Sequence, residues 1–593
     1  MSPALVHSTT TRGAFRSQGA TVLVAIGVAC LVALALQWPQ ARDILLTGRF
    51  NDTDDAMRVV MVRDLMAGQA WHDLVQHRVM PPAGLAMHWS RLIDLPIATL
   101  ITAFSLVVEP VLAERLARII MPAFVSVIFF ASVISFSVRL AGRAAAVPAA
   151  LLASTCLALA YQFVPGRVDH HDVQIVLSLL LAMQTIEAIE RASRAMLAGA
   201  IGALMMAIGL ESLHVVAVAG MVFVTRWILR DSRQPMVAFA GALAGATTAF
   251  FVLGVQPSAW LQPVCDAIGL PVLALTLTGV VITVALGAAA RFLTTPARRG
   301  LAAVAAGAVA MAILFSVFPQ CQAGPYGFIP PDIKAIWLNG VGEARPALLV
   351  LRESPATGVA TLAAGCAGLV ALTLLVWLDH ARRPAWLTLF AFALASLAVT
   401  LYQIRGAGIL TALVLPGSVG LLLLLWQRGQ RALGLVSAGT ASSLVWTLLA
   451  AGLLPAGTPS TSQQCLEPEL YAALDSLPSA VIAAPTDLGA HLLAHTSHAV
   501  LGAPYHRNIA GVRLSHALFT AAPATARQLM VRAGATHLVA CTALRDMADM
   551  AKEAPGGLAA LILMDKVPAW LDPQNATGPM RVWRIDPAAH WSR

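Results

Sequence analysis

Charge is what this 593-residue chain has least of. Only 12% of its residues are charged while 58% are hydrophobic, against roughly a quarter charged in ordinary soluble domains. With a mean hydropathy of +0.75, a soluble globular protein is excluded. The formal net charge of +9 does not indicate a nucleic-acid partner, because no basic stripe with interleaved aromatics is present. None of the seven cysteines stands in CxxC spacing, which removes zinc and iron–sulfur frameworks. Internal repeats and low-complexity tracts are also missing. What remains is a polytopic α-helical membrane protein, its basic residues set in short clusters between apolar runs.

Those clusters orient the chain. Residues 1–19 form a polar tail with Arg12 and Arg16, and the apolar run 20–37 reaches the ~20 residues a crossing needs. Basic residues before the first span place the tail in the cytoplasm. No convincing cleavage site follows, so the run is read as an anchor rather than a signal peptide. The segment 93–113 carries Pro96 and Glu109-Pro110, which suits a helix lying on the membrane surface better than a crossing one. Residues 38–118 then form one long external loop. Further spans fall near 119–138, 144–161, 173–190, 195–210, 213–229, 235–256, 270–290, 300–318, 358–378, 386–404, 407–426 and 433–455. Arg139/Arg143, Arg191/Arg194, Arg226/Arg230/Arg233, Arg291/Arg298/Arg299, Arg382/Arg383 and Arg428/Arg431 all land inside. About 13 spans leave the loop 319–357 and the C-terminus outside. From 457 the composition becomes that of a small soluble α/β domain, with buried strands at 481–484 and 537–540 and helices at 522–533 and 543–553. Cys30, Cys156 and Cys366 lie in apolar runs as small core residues. Cys265, Cys321, Cys465 and Cys541 fall in external segments, where a disulfide could form with its pairing left open.

Three polar stretches emerge on the outer side. Asn51-Asp52-Thr53-Asp54-Asp55 puts three carboxylates within four positions, Arg167-Val168-Asp169-His170-His171-Asp172 follows, and Gly342-Glu343-Ala344-Arg345 is the third. Acids packed so closely repel one another unless a cation or a set of donors sits between them. Oxygens of Asp54 and Asp169 with an imidazole of His171 suit Mg²⁺ or Mn²⁺. Asp172 reads as the cap of a helix N-terminus. Arg405 stands at the outer end of a span, against the positive-inside trend, and invites a lipid phosphate. Glu211 and His214 sit in a tight external turn, where structural pairing and substrate contact both remain open.

With those residues placed, the chain resembles the membrane-embedded GT-C glycosyltransferases, above all the catalytic subunit of oligosaccharyltransferase. Asp54-Asp55-Ala56-Met57 is similar to that family's first-loop acidic motif, and Gly166-Arg167-Val168-Asp169-His170-His171 to its second. Val341-Gly342-Glu343-Ala344-Arg345-Pro346 resembles its glutamate motif, and Tyr402-Gln403-Ile404-Arg405 the arginine that holds the lipid pyrophosphate. The family's acceptor motif Trp-Trp-Asp-Tyr-Gly is absent. Its nearest counterpart, Pro485-Thr486-Asp487-Leu488-Gly489, keeps only Asp-x-Gly, which argues against a sequon asparagine as acceptor.

The resemblance implies a sugar or oligosaccharide transferred from a polyprenyl-phosphate or polyprenyl-diphosphate donor to a glycan, lipid or protein at the extracytoplasmic face of a bacterial inner membrane. A divalent cation on Asp54, Asp169 and His171 would neutralise the donor phosphate, Arg405 would clamp it, and Asp54 or Glu343 would orient or deprotonate the acceptor. Asp55, His170, Tyr505, His506 and Arg507 are candidate substrate contacts. A secondary transporter would need pseudo-symmetric halves and midplane charges, and the halves show no similarity. A non-catalytic assembly protein with a degenerate site is the other alternative.

Overall fold

The computed structural model describes residues 7–188, 191–455 and 461–586. The first six residues of the polar tail and the opening of the C-terminal domain at 457–460 lie outside them. Apolar runs fold as helices throughout the first three quarters of the chain, since in lipid every backbone N–H and C=O must be satisfied within its own segment.

Helix α1 (His7–Thr47) includes a candidate span, Gly19–Thr47, whose 18-residue apolar window has a mean hydropathy of 2.6. It runs beyond the expected 20–37 at both ends. Its buried side carries Ala25, Ala29 and Ala33, while Leu23, Leu31 and Leu34 are exposed. Small residues four apart let neighbouring helices approach closely, and the leucines are left for lipid.

Helix α2 (Thr53–Met66) follows, then a two-stranded antiparallel hairpin of β1 (Val75–Gln76) and β2 (Leu85–Ala86), then α3 (Arg91–Phe104) and α4 (Pro110–Ala141). The segment 93–113 is therefore divided. Pro110 occupies the first turn of α4, where a missing N–H costs nothing, so Glu109-Pro110 starts a helix instead of interrupting one. At 14 residues, α3 is ~21 Å long, short of a ~30 Å hydrocarbon core.

Two short helices, α5 (Ala146–Ser154) and α6 (Leu157–Phe163), come next, and α7 (His171–Glu187), α8 (Ala192–Ile208) and α9 (Leu213–Arg230) complete the half that builds the site. Among the described residues nine helices are long and apolar enough to cross a membrane. The bent pairs Arg143–Ser154 with Leu157–Phe163 and Arg431–Ala441 with Ser443–Leu453 bring the number to eleven. Helices α7 and α8, of 17 residues each, stand at the lower limit of a crossing.

The basic clusters gather at one end of the bundle. Arg139, at the C-terminal end of α4, pairs with Glu187 at the end of α7, and Arg194 of α8 reaches the same glutamate at 3.5 Å. Arg226 of α9 donates to the Thr185 carbonyl at 2.8 Å. The opposite end holds the start of α2, the start of α7 and the α8–α9 turn.

The C-terminal domain folds around a sheet of β3 (Val481–Ala483), β4 (Ala499–Val500), β5 (His537–Cys541), β6 (Leu571–Gln574) and β7 (Met580–Ile585), in the order β4-β3-β5-β7-β6. Strand β3 pairs parallel with β4 and β5, and β7 pairs antiparallel with β5 and β6. The central β5 reads as an unbroken apolar run because Leu538, Val539, Ala540 and Cys541 are all fully buried, as in a strand covered on both faces. Helices Pro523–Arg532 and Arg545–Glu553 agree with the periodicity. The edge strand β4 does not stay open: Val500 donates to the Arg78 carbonyl and accepts from Met80, both at 2.8 Å. The first external loop thus caps that sheet edge, blocking further pairing.

Disulfides join Cys265 to Cys321 and Cys465 to Cys541. Cys156 is buried as expected, but Cys366 is exposed on the helix Pro355–Leu378, on a lipid-facing side rather than in the core.

Candidate active site

The three carboxylates of the first acidic stretch are sent in three directions. Asp52 is the N-cap of α2, and its Oδ1 accepts the Asp54 and Asp55 N–H groups at 3.0 Å each, satisfying two of the donors a helix start leaves open. Its Oδ2 pairs with Arg167 and accepts from the Tyr161 hydroxyl at 2.9 Å. Asp55, one position past Asp54 and so turned about 100° around the helix, is fully buried. It accepts the Val168 N–H at 2.8 Å and lies 3.4 Å from Arg167. Asp52 and Asp54 both line the large cavity, but among the described residues the Asp54 carboxylate has no hydrogen-bond or ion-pair partner. Burial, with Asp169 and Glu343 nearby, pushes its pKa up to about 8.

A tight turn delivers the second stretch. Gly166 has φ +87, and a Cβ there would stand 2.5 Å from Ile44 Cδ1 and 2.9 Å from Asn51 Nδ2. Only glycine fits both the left-handed backbone and the close approach. Asp169, 3% exposed, accepts the His170 N–H at 2.7 Å and lies 2.6 Å from His170 Nδ1 through Oδ1. The same oxygen is 3.5 Å from Arg58. Its Oδ2 faces Arg167 at 3.4 Å and His171 Nε2 at 3.3 Å. Against the penalty of burial, His170, His171 and Arg167 hold this carboxyl well below the usual range.

Behind it lies a wholly internal charge network. Arg58, 1% exposed, is 3.0 Å from Asp94, and Arg91 approaches the other Asp94 oxygen at 3.0 Å. The Arg58 guanidinium sits 4.1 Å over the Trp89 ring. The role of α3 is therefore to carry Arg91 and Asp94 inward, and no buried charge of this cluster is left unpaired.

The imidazoles of His170 and His171 lie 4.6 Å apart. Glu211, from the α8–α9 turn, places Oε1 2.8 Å from His170 Nε2 and 3.6 Å from His171 Nδ1. One donor atom from each of these three residues lies within 4.8 Å of the others, a grouping that could hold a metal ion. Against the burial penalty, Asp169 and Glu211 raise His170 to about 10. Glu343, on the late loop, is 3.5 Å from His171 and 3.0 Å from Arg405. Arg405 and His171 outweigh burial and hold it below the usual carboxylate range. Arg405 also donates to the Tyr326 hydroxyl at 3.3 Å.

One cavity of about 960 Å³ joins these groups, lined by Asp54, His170, His171, Glu211, Glu343 and Arg405 among others. Its far wall belongs to the C-terminal domain. The Tyr505 hydroxyl donates to the Thr53 carbonyl at 3.0 Å, and His506 lines the cavity beside the His88 ring at 4.2 Å. Asp487 and His491 line it as well. His491 is fully buried, and among the described residues neither of its ring nitrogens has a hydrogen-bond partner.

The sequence reading is therefore adjusted at three positions. Asp55 is not a cavity contact but an internal brace for Val168 and Arg167. Arg507 is spent on Asp266, which it grips through Nε and Nη2 at 2.7 Å each while His506 reaches the same carboxylate at 2.7 Å. Asp172 lies inside the first turn of α7, whose N-cap position is His170. Sequence reasoning missed Arg58, Asp94, His88, Tyr326 and His491. The single acid in the apolar start of α3 was a signal for Asp94, and nothing local marked the others.

No protein-family model matches the chain, and no curated protein matches it either. Solved structures do. The archaeal oligosaccharyltransferase AglB from Archaeoglobus fulgidus, in complex with an inhibitory peptide and a dolichol-phosphate, superposes with a TM-score of 0.67 at 15% identity over 93% of this chain and 72% of that one. The A. fulgidus enzyme in complex with Zn and sulfate gives 0.64 at 16% identity over 90% and 70%. The form tethered to an acceptor peptide containing the NVT sequon gives 0.68 at 15% over 91% and 71%. The chain thus has a GT-C, oligosaccharyltransferase-like fold: an apolar helical bundle followed by a small sheet-containing domain.

Proposed function

We propose that the protein is an integral membrane glycosyltransferase. It transfers a sugar or oligosaccharide from a polyprenyl-phosphate or polyprenyl-diphosphate donor to an acceptor at the extracytoplasmic face of a bacterial inner membrane. One observation carries the reading. A single cavity at the end of the bundle away from the basic clusters gathers an unpartnered carboxylate, two imidazoles, a glutamate and an arginine. That combination suits a sugar–phosphate bond, where negative charge grows on the leaving phosphate. The archaeal structure with dolichol-phosphate supports a lipid-linked donor for this fold. Two disulfides, one of them joining loops on the cavity side, favour an oxidising compartment.

The residues present fit a divalent cation, because Asp54 lies free beside Asp169 and Glu343, which repel it. Asp54, Asp169 and His171 would supply the acidic and imidazole groups around the ion, and Mg²⁺ or Mn²⁺ bound there would neutralise phosphate charge. Arg405, on the same cavity wall, binds the phosphate through its planar fork. Glu343 and Asp54 are placed to orient an acceptor hydroxyl or amide and to take its proton, in an inverting displacement at the anomeric carbon. The polar wall of Asp487 and His491 in place of paired tryptophans makes a peptide sequon a poor match as acceptor.

The test uses the donor that accumulates when the gene is deleted. That lipid-linked glycan is extracted and supplied to the purified protein in nanodiscs with a divalent cation. Consumption by wild type, with none by Asp54→Ala or Asp169→Ala of unchanged melting temperature, is expected. Wild-type rates in either variant would remove the cation site, and no consumption by any form would remove the transferase reading.

A further inference from the structure

Asp266 and His506 form a carboxylate–imidazole pair in the cavity wall, with His506 Nε2 2.7 Å from Asp266 Oδ2. An ionised carboxylate can only accept, so the hydrogen belongs on Nε2 and the lone pair of the neutral ring on Nδ1. Arg507 grips both oxygens of the same carboxylate, through Nε and Nη2 at 2.7 Å each, and that fork fixes the carboxylate plane. Cys265, next to Asp266, is bonded to Cys321, which ties the backbone on that side. The imidazole is thus turned by a carboxylate that is itself held. Among the described residues its Nδ1 has no hydrogen-bond partner, and the ring lines the cavity.

The pair stands close to the groups assigned to the donor. The Tyr326 ring meets His506 edge-on at 5.4 Å, and the Tyr326 hydroxyl accepts from Arg405 at 3.3 Å. One residue therefore separates the imidazole from the arginine assigned to the phosphate. The His88 ring packs 4.2 Å from His506. Its neighbour Trp89 lies under Arg58, which faces Asp169 at 3.5 Å. Glu343 is tied to Arg405 and His171, and Asp54 is assigned to the cation, so neither is as free to take a proton.

We propose that His506, oriented by Asp266, is the general base for the acceptor, and that the acceptor is an alcohol such as a sugar hydroxyl, not a carboxamide. This rests on the transferase reading above and sharpens it. As the acceptor oxygen bonds to the anomeric carbon, its proton passes to His506 Nδ1. The bond from that carbon to the phosphate oxygen breaks, and its electron pair leaves on the phosphate. Asp266 stays ionised and steadies the imidazolium until the proton is given to water. An imidazole suits a hydroxyl, whose oxygen keeps a lone pair ready for attack. A carboxamide nitrogen shares its lone pair with the carbonyl, and that resonance has to be broken before it can attack.

The test follows consumption of the lipid-linked donor that accumulates on gene deletion, with full-length protein in nanodiscs and water standing in for the acceptor hydroxyl. His506→Gln keeps an amide N–H for Asp266 but offers no base. It should cut the rate at saturating donor about a hundredfold, with donor KM and melting temperature unchanged. His506→Ala should be as slow and recover when free imidazole is added, a response that a merely structural histidine would not give. Wild type supplies a reading that needs no variant: its single-turnover rate should fall in D₂O, because the proton moves in the bond-breaking step. Wild-type turnover in His506→Gln, no response of His506→Ala to imidazole, or an unchanged rate in D₂O overturns the base and leaves the transferase standing. A peptide with an NVT sequon should not speed donor consumption, and acceleration by it overturns the acceptor class. No donor consumption by wild type removes the transferase reading and this inference with it.

Discussion

Glu343 and Arg405 are held to each other twice. Glutamate Oε1 lies 3.0 Å from the arginine Nη2, and the Arg405 N–H donates to the Glu343 carbonyl at 3.1 Å. The loop bearing Glu343 is thereby fastened to the start of the helix Gly406–Gln427. The proposed donor phosphate would meet an arginine whose charge is already partly offset, so its grip would depend on geometry as much as on charge.

That geometry can be tested. A guanidinium binds phosphate through two parallel hydrogen bonds, which a lysine cannot reproduce, and charge-assisted bonds contribute roughly 1.5–3 kcal/mol each. Arg405→Lys should weaken use of the lipid-linked donor by at least about tenfold, Arg405→Ala more, with acceptor dependence unchanged in initial-rate measurements. A lysine variant equal to wild type at limiting donor would assign the phosphate to other residues.

One of the contacts between the C-terminal domain and the membrane loops is made by Asp266. Its side chain is 5% exposed, beside the Cys265–Cys321 disulfide, and takes both His506 and Arg507. Removing one partner of a buried pair strands the other, at a cost on the order of 3 kcal/mol. Asp266→Ala and Arg507→Ala should each lower thermal stability, and the double variant should lose clearly less than their sum. Strict additivity would mean that the two do not act as a pair.

A pH effect is expected from Asp487. Burial and the hydrogen-bonded Asp546 carboxyl push its pKa up to about 7 from an ordinary value of 3.8. Between these values the folded protein keeps a proton that the unfolded chain has released, so stability falls as pH rises through that window. Asp487→Asn has no such proton to lose. In thermal melts its melting temperature should exceed that of wild type by a margin that grows from about pH 5 to about pH 8. A margin independent of pH would show that the aspartate pair ionises normally.

Orientation in the membrane is open to labelling. Ala144 is exposed after the end of α4, next to Arg143 and near the Arg139–Glu187 pair. In a background without the three free cysteines, Ala144→Cys should react with an impermeant maleimide only when the cytoplasmic side is opened. Labelling from outside would put the cavity in the cytoplasm and remove the extracytoplasmic transferase.

Hydropathy and charge are local properties, and what depended on them was legible in the sequence. Apolar runs of crossing length, the basic clusters between them and the change of composition near 457 gave the helical bundle with a small α/β domain. The polar stretches around Asp54, Asp169, Glu343 and Arg405 were legible for a similar reason, because charges stand out in a chain with so few. Partnership was not legible. Which of Asp52, Asp54 and Asp55 is left unpartnered at the cavity is decided by the capping and rotation of α2, and by Arg167 and Val168 arriving from another segment. The disulfide pairing, the Asp266–Arg507 grip and the placing of Glu211 before two imidazoles likewise bring together residues far apart in the chain. A buried charge must find its partner wherever the fold supplies one, and only the tertiary structure decides where that is.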